Sequence, residues 1–168
     1  ILNFSEEPKM RIVVLAALAA FILTGCNTKY GEMGGSGGVT AAAITNDTYR
    51  ISARGNGYTN STTIQDYSML KAAEVTLAAG KSYFAILSGS DATRQSRVQT
   101  PGTFNTSFIG NSAYTTYNPG ADYDVVKPGK DLMIRMFTPA PGQALPSNVF
   151  PAQEVYNNIN PRVERSGK

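Results

Sequence analysis

The feature that most constrains this chain is a short apolar run near its N-terminus, followed closely by its only cysteine. The run covers residues 12–23 (IVVLAALAAFIL), with Met10-Arg11 before it and Cys26 after it. A helix that crosses a bilayer needs about 20 apolar residues, so this run is too short to be a stable span. A basic start, a short apolar run and small residues before a cleavage point are typical of an export signal peptide. We therefore assign residues 10–25 to a signal peptide, expected to form an N-terminal signal helix, and expect the folded domain behind it.

The four residues that end this segment, Leu23-Thr24-Gly25-Cys26, resemble the lipobox of bacterial lipoproteins. The resemblance implies that a signal peptidase recognises Leu23, Thr24 and Gly25. It also implies that Cys26 becomes acylated, with chains such as palmitate holding the protein on a membrane. In such lipoproteins an Asp after the cysteine favours the inner membrane. Asn27 stands here, which implies the periplasmic face of the outer membrane. The alternative is a buried core helix that ends at Gly25-Cys26.

No folded structure is predicted for the residues on either side of the signal peptide. Residues 1–9 carry acidic charge where a signal peptide is basic, so we interpret them as a mis-assigned start or as residues foreign to the natural protein. Residues 26–47 include five glycines between Gly31 and Gly38, a composition typical of a flexible tether. The prediction is one domain over residues 48–162, held clear of the lipid by this tether, with a tail at 163–168.

The pattern behind the tether predicts a small α+β domain with a sheet of about three strands. Alternation of apolar and polar residues over 49–54 predicts a half-buried strand. The apolar runs at 83–87 and 132–137 predict two more strands. The 43 residues between them, 88–130, are expected to form a long loop with a hairpin near 103–109 or a segment that folds on a partner. Its scattered aromatic residues are expected to pack beneath it, with a partner-binding surface as the alternative.

Two helices are expected to cover this sheet. The first is predicted over residues 63–79, with a capping-box pattern at Thr62 and Gln65 and a glycine stop at Gly80. Its apolar side is expected to pack Leu70 and Leu77 on the sheet. A short C-terminal helix is predicted between Pro151 and Pro161, since proline suits the first turn of a helix and also ends one.

Several segments within residues 37–87 resemble a family of small proteobacterial lipoproteins without an assigned activity. They are Gly37-Gly38-Val39-Thr40, Tyr49-Arg50-Ile51, Gly55-Asn56-Gly57-Tyr58-Thr59, Tyr67-Ser68-Met69-Leu70-Lys71-Ala72-Ala73-Glu74-Val75-Thr76, Gly80 and Tyr83-Phe84. The chain departs from the family pattern at three positions, with Val39 and Lys81 in place of aromatic residues and Lys71 in place of an arginine. The resemblance implies an envelope location and says almost nothing about activity.

Glu74 is the predicted site residue that stands out on the first helix, because it falls within the apolar arc of that helix. A carboxylate there must be paired or hydrogen-bonded, since a buried unpaired charge is costly. Lys71 lies three residues earlier, and a strand could also supply a cation from Arg50, Arg54 or Arg135. The interpretation is a buried ion pair that includes Glu74 and Lys71, with a functional pocket as the alternative.

The amino-acid composition argues against several classes of function. Histidine is absent and there is one cysteine, so the commonest general base, the commonest metal ligand and an intramolecular disulfide are all missing. The net charge of +3 is scattered, which does not favour nucleic-acid binding. We expect a non-enzymatic binding or structural module, with no cofactor or metal, whose partner is the membrane and an envelope protein or the cell wall. The alternative is an envelope hydrolase acting on peptidoglycan through carboxylates such as Glu74, Asp66 or Asp122.

Overall fold

The computed structural model describes residues 27–165. The predicted signal helix over residues 10–25, residues 1–9, the lipobox residues Leu23, Thr24 and Gly25, and Cys26 itself lie outside the described residues. In chain order the elements are β1 (Gly38–Ala43), β2 (Thr48–Arg54), α1 (Ser61–Ala78), β3 (Tyr83–Asp91), β4 (Arg94–Gln99), β5 (Thr103–Ile109), β6 (Ser112–Asn118), β7 (Asp122–Lys127), β8 (Gly129–Phe137), β9 (Val149–Pro151) and α2 (Ala152–Ile159), followed by a 3₁₀ turn at Asn160–Arg162.

Five of the strands form one antiparallel sheet in the order β1-β2-β8-β3-β9. Successive side chains of a strand point to opposite faces, and here one face is apolar and buried. Ile51 and Ala53 of β2 and Ile134 and Met136 of β8 lie on it. Helix α1 packs across β1, β2, β3 and β8, so the core lies between this helix and the sheet.

Helix α1 forms because its apolar residues recur at helical spacing. Ile64, Tyr67, Leu70 and Ala73 are buried, and Leu77 packs partly buried against the same core. The helix begins two residues before the predicted start, because Asn60 caps it by accepting a hydrogen bond from the Thr63 amide at 2.7 Å. Helix α2 follows Pro151 and packs against α1. Neither helix within residues 27–165 is long and apolar enough to cross a membrane.

The predicted fold class is wrong. Strands make up 47% of the described chain and helices 21%, so the protein is mostly β, with nine strands in three sheets instead of one sheet of about three strands. The strands predicted at 49–54, 83–87 and 132–137 are part of the central sheet, but six others were missed. Four of those, β4 to β7, are exposed on both faces and so lack the buried alternation that marks a strand in a sequence.

The segment predicted to be a flexible tether is part of the domain. Tyr30 and Val39 are buried, and residues 38–43 form β1, which pairs with β2 along its whole length. Two of the glycines that suggested flexibility, Gly37 and Gly38, serve close packing here. Gly38 has a φ of +132°, and a Cβ on it would lie 2.5 Å from the Glu32 carbonyl oxygen. A glycine-rich composition therefore reflects tight backbone approach in this segment.

Candidate functional site

The residues that directly follow Cys26 in the chain are held firmly against the domain. Thr28 is buried, and its amide donates to the Thr59 hydroxyl at 3.0 Å. Its carbonyl accepts a hydrogen bond from the Tyr67 hydroxyl at 2.7 Å, and its own hydroxyl oxygen accepts one from the Asn56 amide at 2.9 Å. The chain is thus fixed in position within two residues of the predicted lipidation point.

Glu74 forms the centre of a polar cluster that joins α1 to both ends of the described chain. Its carboxylate accepts a hydrogen bond from the Tyr30 hydroxyl at 2.5 Å and one from the Arg165 guanidinium at 2.9 Å. The Arg165 guanidinium also lies over the Tyr30 ring, 4.8 Å from its centroid. The Glu74 side chain is 25% exposed, so the cluster is partly shielded from water.

The electrostatics of this cluster follow from burial and from the shared carboxylate. Burial raises the pKa of the Tyr30 hydroxyl well above its ordinary value, and the hydrogen bond to Glu74 raises that pKa further. The hydrogen bond to Glu74 likewise raises the pKa of Arg165. Tyr30 is therefore neutral and Arg165 charged at physiological pH, so the cluster joins one hydroxyl and one guanidinium to the Glu74 carboxyl group.

Lys71 forms its ion pair with a residue other than Glu74. Its ammonium pairs with Glu32 at 3.2 Å, and the Glu32 side chain is 81% exposed. The strand arginines proposed as further partners are also engaged elsewhere: Arg54 with Asp131 at 2.8 Å and Arg135 with Asp47 at 2.8 Å. The cation beside Glu74 is Arg165, in the segment predicted to be a tail. Neither Arg165 nor Tyr30 has a local sequence signal, since they lie 91 and 44 residues from Glu74.

The three carboxylates named for the hydrolase alternative are not gathered in one place. Glu74 and Asp66 are eight residues apart on α1, which is about 12 Å along a helix, and Asp122 lies in β7. Asp66 and Glu164 do line a surface depression, but its volume is about 130 Å³, below the roughly 300 Å³ of the smallest typical ligand pockets. Asp66 also pairs with Arg162 at 3.3 Å. Within residues 27–165 there is no group of acidic side chains that could hold a metal ion.

The second feature that stands out is a long β-arm, defined here as residues 94–127. In the arm β4 pairs with β7 and, farther out, β5 pairs with β6, each pair antiparallel and continuing the β3–β8 pair of the central sheet. At about 3.3 Å per residue, these two pairs make a ribbon on the order of 40 Å long. No residue in this range is buried. A hairpin near 103–109 is one of two expectations for the segment 88–130; residues 103–109 form β5, one strand of a hairpin with β6, and the predicted long loop is a β-arm.

The arm has two sections separated by a joint. Pro101-Gly102 stands in one strand and Pro119-Gly120 in the other, and each proline lacks the amide needed to continue the ladder. Just before the joint the Thr100 amide donates to the Ala121 carbonyl at 3.0 Å. We call the section beyond the joint, residues 103–118, the outer hairpin. Its strands pair only with each other among the described strands.

The aromatic residues of the arm are exposed, and do not pack beneath a loop as the sequence suggested. Phe104 is 72% exposed, Phe108 76% and Ile109 70%, and Tyr114, Tyr117 and Tyr123 are also exposed. The Phe104 and Tyr117 rings contact each other, with centroids 4.8 Å apart. Such side chains contribute little to folding when exposed, so their presence here favours a role in binding.

The base of the arm and the start of the described chain lie at the same end of the sheet. At that end the Gly55 amide donates to the Pro128 carbonyl at 2.8 Å, and Gly57 lies against Val125 of β7. The same loop contacts Thr28 through Thr59. Next to it Arg54 holds Asp131 with two hydrogen bonds of 2.8 and 2.9 Å, which lower the pKa of that carboxyl. The arm therefore starts from a well-ordered base beside the N-terminal segment.

Comparisons of the chain with protein-family models, with curated proteins and with solved structures found no match. The resemblance to small proteobacterial lipoproteins therefore stays a prediction from the residues that carry it.

Proposed function

We propose that this chain is a lipid-anchored protein of the bacterial cell envelope that acts as a non-enzymatic binding or structural module through its arm. The anchor is Cys26, acylated at the periplasmic face of the outer membrane. Support for the anchor comes from the apolar run at 12–23 and from the lipobox resemblance of residues 23–26. Two or more acyl chains attach a protein stably, so the folded domain is left to perform the binding.

The observation that carries the binding role is the exposure of the arm. Isolated two-stranded ribbons are marginally stable in water, and the arm adds no buried residue to the core. A segment of this length with five exposed aromatic residues (Phe104, Phe108, Tyr114, Tyr117 and Tyr123), and with exposed Tyr58 beside its base, is best explained by a contact that the arm makes outside its own domain. Aromatic residues are also enriched where proteins bind partners.

Photo-crosslinking in living cells tests this role. A benzophenone amino acid replaces Tyr117 on the arm in one variant and exposed Lys81 on the body of the domain in a matched control. We expect irradiation to give discrete adducts at position 117 and none at position 81. Mass spectrometry of the adduct then identifies a protein, a cell-wall fragment or a lipid. If position 117 gives no more adduct than position 81, the arm is not a binding element and the proposal fails.

A further inference from the structure

Charged side chains occur only in the half of the arm that adjoins the sheet. Strands β4 and β7 carry Arg94, Arg97, Asp122, Asp124 and Lys127, whereas residues 98–121 contain no Asp, Glu, Lys or Arg. Exposed edge strands in water usually carry charges, which keep other strands from pairing with them. The absence of charge over this whole segment indicates that water is not its only environment.

The outer hairpin is amphipathic. Its register places Phe104 opposite Tyr117, Thr106 opposite Thr115 and Phe108 opposite Ala113, and these six side chains share one face. The two threonine hydroxyls on that face hydrogen-bond to each other at 2.9 Å, so they satisfy one another within the face. The opposite face carries six small polar residues (Thr103, Asn105, Ser107, Ser112, Thr116 and Asn118), together with Tyr114 and Ile109 near the tip. Two uncharged faces, one mainly apolar and one mainly polar, suit the boundary between lipid and water.

We propose that this apolar face lies against the lipid bilayer that carries the acyl chains of Cys26. The inference rests on the proposed lipid anchor and names the partner of the arm. Thr28 is hydrogen-bonded to the loop 55–59, which contacts the base of the arm, and the two peptide units between Thr28 and Cys26 span at most about 7 Å. The anchor and the arm therefore emerge from the same end of the domain, and the membrane that holds one is within reach of the other.

The hairpin lies along the surface of the bilayer. Strands β5 and β6 each leave one edge without a partner strand among the described strands, and unpaired backbone groups are costly in the hydrocarbon core. At the level of the headgroups these groups have access to water. Tyrosine rings, such as Tyr117, are enriched at that level. A second copy of this chain would also tolerate an uncharged face, but it would not explain why the arm starts beside the anchor.

A single tryptophan reports this contact, because the chain contains none. Phe108→Trp puts the probe on the apolar face, and Ser107→Trp puts it on the polar face one residue away. The mature acylated chain of each variant is reconstituted into phosphatidylethanolamine and phosphatidylglycerol vesicles with acyl chains brominated near the headgroup, since bromine quenches tryptophan that touches it. We expect the probe at 108 to lose most of its fluorescence and shift to the blue, and the probe at 107 to keep most of its fluorescence. High salt should not change the result, because the contact involves no charge.

Each other outcome overturns the inference in a distinct way. Equal quenching at 107 and 108 shows that the hairpin does not rest on the bilayer by its apolar face alone, and no quenching at 108 shows that this face does not touch lipid. A blue shift at 108 without quenching shows that protein covers the face. Flotation of the vesicles distinguishes these results from failure of the anchor. Protein that floats with the vesicles but is not quenched contradicts the lipid contact of the arm and leaves the proposed anchor intact. Protein that does not float contradicts both the anchor and the lipid contact.

Discussion

Two charged residues one turn apart on α1 illustrate how the surroundings of a side chain decide how much it contributes to stability. Glu74 accepts hydrogen bonds from Tyr30 and Arg165 and is partly shielded, whereas Lys71 pairs with a carboxylate that is almost fully exposed. Removing Glu74 leaves the buried Tyr30 hydroxyl without this acceptor. Removing Lys71 leaves Glu32 in water, where a lost ion pair costs little.

We therefore expect Glu74→Ala to lower the free energy of unfolding by about 2 kcal/mol, because a donor loses its acceptor in a shielded site. Glu74→Gln should lose less, since the amide keeps the shape and one acceptor oxygen. Lys71→Ala, the matched control, should lose less than about 1 kcal/mol. The measurement is urea unfolding of the chain without residues 1–26, where a shift of midpoint at constant slope reports stability. Equal losses for Glu74→Ala and Lys71→Ala would contradict the cluster.

The sequence predicts that Glu74 needs a partner, but it does not predict that the cation is Arg165 instead of Lys71. The side of a helix on which a residue lies follows from local sequence spacing, so the position of Glu74 near the buried side of α1 could be predicted. Tyr30 and Arg165 come from segments interpreted as tether and tail. Contacts between residues so far apart in the chain leave no periodic signal in a single sequence.

Among the elements, the helix and the arm differ most in how well they could be predicted. Helix α1 has apolar residues at helical spacing and a glycine after its end, with Gly80 at a φ of +66°, and its predicted bounds were within two residues of those observed. Strands β4 to β7 were taken for a loop because neither of their faces is buried. The usable signals were the uncharged stretch 98–121, rich in Thr, Tyr and Phe, and the two Pro-Gly pairs.

The N-terminal segment gives a second prediction, because its packing depends on Gly38. Gly38→Ala should destabilise the domain by about 1–3 kcal/mol, since the new Cβ meets the Glu32 carbonyl and the backbone is strained for any side chain. Gly35→Ala in the same segment is the control, because a Cβ there meets nothing within 4 Å. It should change stability by less than about 0.5 kcal/mol. The same urea measurement applies, and similar values for the two variants would mean that the segment is not packed as described.

At the scale of the whole molecule, the loss of the tether changes how an anchored domain would sit on its membrane. A flexible segment of about twenty residues would have allowed the domain to move roughly 25 Å from the lipid. With Thr28 buried and hydrogen-bonded, a domain anchored through Cys26 would instead stand directly at the bilayer, with its arm at the same end. The proposed anchor and the arm would then share one membrane-facing side.

The proposed lipid anchor requires acylation of Cys26, and metabolic labelling with radioactive palmitate tests it directly. We predict label in the wild-type chain and none in Cys26→Ser, because the chain has no other cysteine. The serine variant also controls for palmitate that associates without a covalent bond. Equal labelling of both chains, or no label in the wild type, would contradict the lipid anchor.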